Sequence, residues 1–160
     1  MKFEYRLGGG GPEHAHLQKL VEKLGLGDSV IFGRSLSGDE YFQVLGASHI
    51  YLLPSFRESA PVTISEAMLA GCVPIVANAS AQAEIVRDDC GFRVAVTTPA
   101  QMAREICNHI LHLHARRDLI RTMGGAAQFR AADLFPAEKY RASVNAMYDT
   151  ARAGQSSSEA

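Results

Sequence analysis

The chain has 160 residues, 47% apolar and 21% charged, which is the balance of an ordinary globular domain with a core of its own. Sixteen Lys and Arg against seventeen Asp and Glu give a formal net charge of −1 with no basic block, which argues against nucleic acid as a partner. No apolar run is long enough to span a bilayer, the N-terminal segment has no signal-peptide core, and the cysteines (Cys72, Cys90, Cys107) fit neither a disulfide framework nor a zinc site, so a cytoplasmic protein with reduced thiols is expected.

In chain order, Phe3 to Leu7 reads as a short strand ending at Gly8-Gly9-Gly10-Gly11-Pro12. His14 to Leu24 carries Leu17, Leu20, Val21 and Leu24 at helical spacing and stops at Gly25 and Gly27. Ser29 to Phe32 is a second strand, closed by Gly33, and Asp39 to Leu45 is a short helix after the turn Ser37-Gly38. His49 to Leu53 is a third strand, ended by Pro54-Ser55; Pro61 to Leu69 is a helix with proline in its first turn and Gly71 as its stop. Val73 to Ala77 is a fourth strand, Gln82 to Val86 a short helix and Gly91 to Val96 a fifth strand. Beyond Pro99 the pattern is all-helical, over Pro99 to His114, Arg116 to Ala132 and Pro136 to Ala153, before a polar tail, residues 155–160, expected to be disordered.

Strands alternating with helices imply an α/β domain, residues 1–154, with a parallel sheet of about five strands, helices on both faces and extra C-terminal helices. The strands are short, apolar and β-branched, as buried parallel strands are. Ligands of such sheets bind beyond the carboxyl ends of the strands. Three loops fall on that rim: Gly8 to Pro12, Gly33 to Gly38 and Pro54 to Pro61.

The stretch from Leu53 to Gly71 carries the most chemistry. It runs strand, loop, helix, so the backbone amides of Ser59, Ala60 and Val62 fall at or near a helix N-terminus, where free donors and the helix dipole suit a phosphate. Pro61 has no N–H to give. Glu58 precedes the helix and Glu66 lies within it, roughly 7 to 8 Å further along the axis. A carboxylate accepts two hydroxyls well, so one acid on each side of an anion site suits a sugar on each side of a diphosphate. A glutamate one turn into a helix is usually a solvated surface residue; the preceding strand and the small residues that follow single this one out.

These residues resemble the Glu-x7-Glu motif of family 4 glycosyltransferases, which have the GT-B fold. Pro54-Ser55, Glu58, Glu66-Ala67-Met68, Gly71 and Pro74 stand in the family's register. Gly9-Gly10-Gly11-Pro12 is similar to its Gly-x-Gly-Pro loop, Val30-Ile31-Phe32-Gly33 to the end of a later strand, and Glu84-Ile85-Val86 with Gly91 to its Glu-Ile-Val and later glycine. The match covers about residues 5 to 96. It implies a Rossmann-like half of a GT-B fold, the C-terminal domain that binds a nucleotide-sugar donor such as a UDP-, GDP- or ADP-sugar, with no metal or other cofactor. It also implies transfer with retention of configuration, in which Glu58 faces the transferred sugar and positions it, and Glu66 holds the ribose hydroxyls. Ser59, Ala60 and Val62 would offer amides to sugar and phosphate, Gly9 and Gly11 would lie in the donor loop, and Gly33 and Arg34 would meet the base.

Two departures stand out. Ser59-Ala60-Pro61 replaces the family's Gly-Phe-Gly, with bulkier side chains and one donor fewer. The family's first strand, the Arg and Lys that clamp the diphosphate, and the N-terminal acceptor domain have no counterpart in these residues. Little or no turnover is therefore expected from the chain alone, with the N-terminal GT-B domain as its missing partner and membrane contact only through a parent enzyme. Self-association through a sheet edge or an uncovered face is expected too.

Other candidates carry less. His14, His16, His109, His112 and His114 form no recognised zinc pattern. Gly8 to Gly11 lacks the spacing of a dinucleotide fingerprint. The stripe Met102, Ile106, Ile110 and Leu113 reads as core-facing. The rival to a transferase domain is a non-catalytic nucleotide-sugar-binding or interaction module, and a second is a GT-B epimerase, which would need a second domain of its own.

Overall fold

The computed structural model describes residues 2–33, 36, 38–59 and 62–136. Strands and helices alternate as β1 (Tyr5–Leu7), α1 (His14–Lys23), β2 (Val30–Phe32), α2 (Gly38–Gly46), β3 (Ile50–Leu53), α3 (Val62–Leu69), β4 (Val73–Ala77), α4 (Ser80–Ile85) and β5 (Phe92–Val94), followed by α5 (Pro99–Ala115) and α6 (Arg117–Leu134). The chain forms two compact units, Met1–Gln43 and Val44–Ala160. All strand pairs are parallel, β1 with β2 in the first unit and β3-β4-β5 in the second.

In the first unit Tyr5 lies opposite Val30 and Leu7 opposite Phe32. The connecting helix α1 ends as its sequence dictates. Gly25 adopts φ +64°, its N–H reaches the Glu22 carbonyl, and the Leu26 N–H reaches back to Val21, the paired bonds of a glycine-terminated helix. None of the α1 side chains is buried.

The second unit holds the core. Every residue of β4 is buried, and its alternation sorts the helices onto two faces. Val76 packs with Ile64 and Met68 of α3, Ile85 of α4 and Ala127 and Ala131 of α6. Ile75 and Ala77 face the other way, onto Met102, Ile106 and Ile110 of α5. The stripe along α5 is thus core, as its spacing predicts. That helix opens with a capping box, Thr98 paired with Gln101, and Pro99 at its first position.

Glycine and proline set the close approaches. Gly71, at φ +87°, ends α3 with the same paired bonds, its own N–H to Met68 and that of Cys72 to Ala67. Pro74 sits in the central strand, a place proline normally avoids. It is tolerated because β5 begins only opposite Ile75, so no partner waits for the amide that Pro74 lacks. Just before that pairing Gly91 crosses Pro74 so closely that a Cβ there would come 2.5 Å from the Pro74 carbonyl oxygen and 2.7 Å from Val86.

The expected sheet of about five strands is described as one of two strands and one of three, and the remaining departures lie at element ends. β1, β2, β3 and β5 are each shorter than their apolar runs, and α4 starts at Ser80 and stops at Ile85 rather than running from Gln82 to Val86. The helix expected over Pro136 to Ala153, apart from Pro136, and the tail fall on residues 137–160, outside the described residues.

Candidate active site

The loop that leaves β3 and the helix that follows it form the candidate site. α3 has four buried residues, Ile64, Ser65, Ala67 and Met68, and these hold it on β4 and α6. Its first described residue, Val62, is 61% exposed. Ser59 is exposed, while Glu58 and Glu66 are both half-buried, intermediate between solvent and core. A half-buried carboxylate sits in a less polar medium, where a hydroxyl ligand is held more strongly than at a free surface.

Tyr51 lies in the strand that leads into the loop. It lies on β3 opposite Pro74, and its ring packs on the cluster formed by Ile64 and Met68. Burial pushes its phenol above the ordinary tyrosine range; the Thr63 hydroxyl, hydrogen-bonded to it, pulls the other way, and the negative charges of Glu66 and then Glu58 raise it further. The charges of both acids thus reach the Tyr51 phenol. Tyr51 and Thr63 were not singled out from sequence. A tyrosine in an otherwise aliphatic strand, needing a partner for its hydroxyl, is the signal that points to Tyr51.

The loop itself is pinned from the side. Backbone carbonyls of Ser55, Phe56 and Glu58 accept hydrogen bonds from Gln82, Ser80 and Ala81, all at the start of α4. Arg57, between them, is exposed.

In the first unit the loop after β1 contains Gly9 at φ +99°, a backbone conformation that a side chain would strain. The Gly33 N–H donates to the Leu7 carbonyl at 2.7 Å, and a Cβ at Gly33 would lie 3.2 Å from that oxygen, so Gly33 closes the end of β2 against the end of β1. Gly11 lies in the same loop as Gly9, and its carbonyl accepts from the His14 N–H at the start of α1. Arg34 and Ala60, both expected at the donor site, lie outside the described residues.

Residues away from these loops are accounted for by packing. His109 stacks on Phe92 at 4.3 Å, with His112 edge-on to the same ring. Cys72 and Cys90 are buried and Cys107 is exposed, all three as free thiols. A shallow depression of about 530 Å³, lined by His49, Gly71, Arg117, Arg121 and Gln128 among others, opens at the amino-terminal end of β3 and β4, away from the candidate site. No helix among the described residues is long and apolar enough to cross a membrane.

Parallel strands, and a loop from β3 into α3 that carries Glu58 before the helix and Glu66 within it, are described in the second unit. Residues 2–122 match the glycosyl transferases group 1 family. The chain belongs to that family. Among relatives of this group 1 transferase chain, an MMP alpha-(1->4)-mannosyltransferase of Mycolicibacterium hassiacum is 29% identical over 134 residues, which are 84% of the chain and 32% of the relative. Sucrose-phosphate synthase from Thermosynechococcus elongatus superposes with a TM-score of 0.80 at 23% identity, over 92% of the chain and 38% of that structure. Anabaena HepE in complex with UDP-glucose superposes with a TM-score of 0.72 at 22% identity, over 85% of the chain and 36% of that structure. These likenesses show the fold, that of a GT-B glycosyltransferase. The group 1 chain spans about a third of the length of the mannosyltransferase it matches.

Proposed function

We propose that this chain is the donor-binding domain of a retaining glycosyltransferase of family 4, and that it holds a nucleotide-diphosphate sugar at the start of α3. What supports the reading is the family match together with two half-buried acids, Glu58 and Glu66, on either side of the junction into α3, whose first described residue, Val62, is exposed. The amides there, with the helix dipole behind them, bind the diphosphate and stabilise its charge as it leaves. Glu66, half-buried in the second turn, accepts the two ribose hydroxyls. Glu58, before the helix, accepts hydroxyls of the transferred sugar and orients the anomeric carbon. It acts by position; the departing phosphate assists proton removal from the acceptor on the same face.

HepE, bound to UDP-glucose, makes that nucleotide sugar the first donor to try. The test is an NMR titration of the chain with UDP, GDP and ADP and with UDP-glucose, repeated on Glu66→Ala. Removing a charged acceptor of two hydroxyls costs about 1.5 to 3 kcal/mol, so the variant should bind the preferred nucleotide roughly 10- to 100-fold more weakly. Equal affinities for the variant and the unaltered chain, or no response to any nucleotide, would refute the proposal.

A further inference from the structure

Three consecutive residues of α4 hold three carbonyls of the Glu58 loop. Gln82 Nε2 donates to the Ser55 carbonyl at 2.6 Å, Ser80 Oγ to Phe56 at 2.9 Å and the Ala81 N–H to Glu58 at 3.4 Å. Two features of this strap are unfavourable in isolation. Ser80 stands at φ +52°, the one non-glycine residue at positive φ among the described residues. Such a conformation persists only where its surroundings impose it, and it concentrates at functional sites. Gln82 is fully buried, yet its Oε1 has no hydrogen-bond partner. A carbonyl can only accept, so the amide must turn Nε2 toward Ser55, and the orientation that secures the loop is the one that leaves Oε1 unpaired.

Both unfavourable features serve the same end. Core packing alone would be met by an apolar side chain at 82, and the turn alone by glycine at 80. What neither replacement provides is a side-chain donor to the loop carbonyls of Ser55 and Phe56, just before Arg57 and Glu58. We propose that Ser80 and Gln82 are positioning residues that fix Glu58 against the sugar half of the donor, and so set the preference for a nucleotide sugar over the bare nucleotide. The proposal rests on the sugar-facing role of Glu58.

The experiment compares Gln82→Met, which keeps volume without a donor, Ser80→Gly, which relieves the φ and removes the hydroxyl, and Glu58→Gln as reference. Two readouts are taken on the 160-residue chain: backbone amide order over residues 55–59 by NMR relaxation, and the affinity ratio of UDP-glucose to UDP by calorimetry. In both strap variants the loop should lose order and the ratio should fall about fivefold, the effect of one lost hydrogen bond, with affinity for UDP unchanged. Ser80→Gly should do so without lowering Tm, which a merely structural role would not produce. A loop as ordered as in the unaltered chain overturns the proposal. So does an unchanged ratio in the strap variants when Glu58→Gln shifts it. If Glu58→Gln itself leaves the ratio unmoved, the sugar role of Glu58 fails and with it the selectivity assigned to the strap.

Discussion

Two adjacent glycines of α6 should respond in opposite directions to the same substitution. Gly124 is buried, and a Cβ built there runs into the carbonyl oxygen of Gly71; Gly125 is exposed, with nothing within 4 Å of its Cβ position. Alanine gains about 1 kcal/mol over glycine in a helix interior at either site. At Gly125 nothing offsets that gain, so Gly125→Ala should stabilise by about 1 kcal/mol and raise Tm by roughly 2 to 4 °C. At Gly124 the obstacle is backbone, and it cannot swing aside, because the Gly71 turn is tied by its hydrogen bonds to Ala67 and Met68. Helix α6 must shift instead, at an overpacking cost of about 3 kcal/mol, the upper part of the usual range, which leaves Gly124→Ala roughly 2 kcal/mol less stable. Its Tm should fall by roughly 4 to 8 °C. Thermal and urea unfolding of the two variants side by side measures the difference directly. Equal shifts of the same sign would refute the backbone contact between the end of α3 and α6. Since α3 carries Glu66, Gly124→Ala should also weaken nucleotide binding, and Gly125→Ala should not.

Other expectations follow from the same contacts. Burial against Phe92 lowers the His109 pKa, with Glu105 opposing and His112 adding to the fall. The unfolded chain then takes up the proton more readily, so stability is lost as pH drops through about 6.5, and His109→Phe should flatten the urea-midpoint decline between about pH 7.5 and 5.5. Burial pushes the Cys72 thiol up to about 11, and it donates to the Leu45 carbonyl at 3.3 Å, so iodoacetamide near pH 8 should label exposed Cys107 first and Cys72 only on unfolding, as read by peptide mass. Gly91→Ala should destabilise by about 1 to 3 kcal/mol with no change in nucleotide affinity at saturating fold, because its close neighbours are Pro74 and Val86 rather than the Glu58 loop.

The elements were legible because their ends are written in residues with one physical meaning. Gly25 and Gly71 stop helices by taking positive φ, and Pro99 after Thr98 starts one. The candidate loop stands out in sequence because Glu58 and Glu66 bracket a strand-to-helix junction, and that junction lies where the sequence places it. Tyr51 does not stand out, since its place depends on which face of β3 meets α3, and two alternating apolar faces look alike in sequence. The strap was equally hidden: Ala79-Ser80-Ala81-Gln82 carries no capping signal, and the partners of Ser80 and Gln82 lie 24 and 27 residues away. Pairings over such distances are set by the fold, and no local spacing encodes them.

Pro74 also governs how β4 and β5 find each other. Its nitrogen is matched with a stretch where β5 has not yet begun, and Gly91 alone can pass beside its ring. Were β5 to slide by two residues toward the start of β4, proline would stand beside a carbonyl it cannot satisfy in a fully buried strand, and Arg93 rather than Gly91 would come opposite its ring. Slipped alignments of this pair therefore cost an unmet buried carbonyl and a clash that the native register avoids.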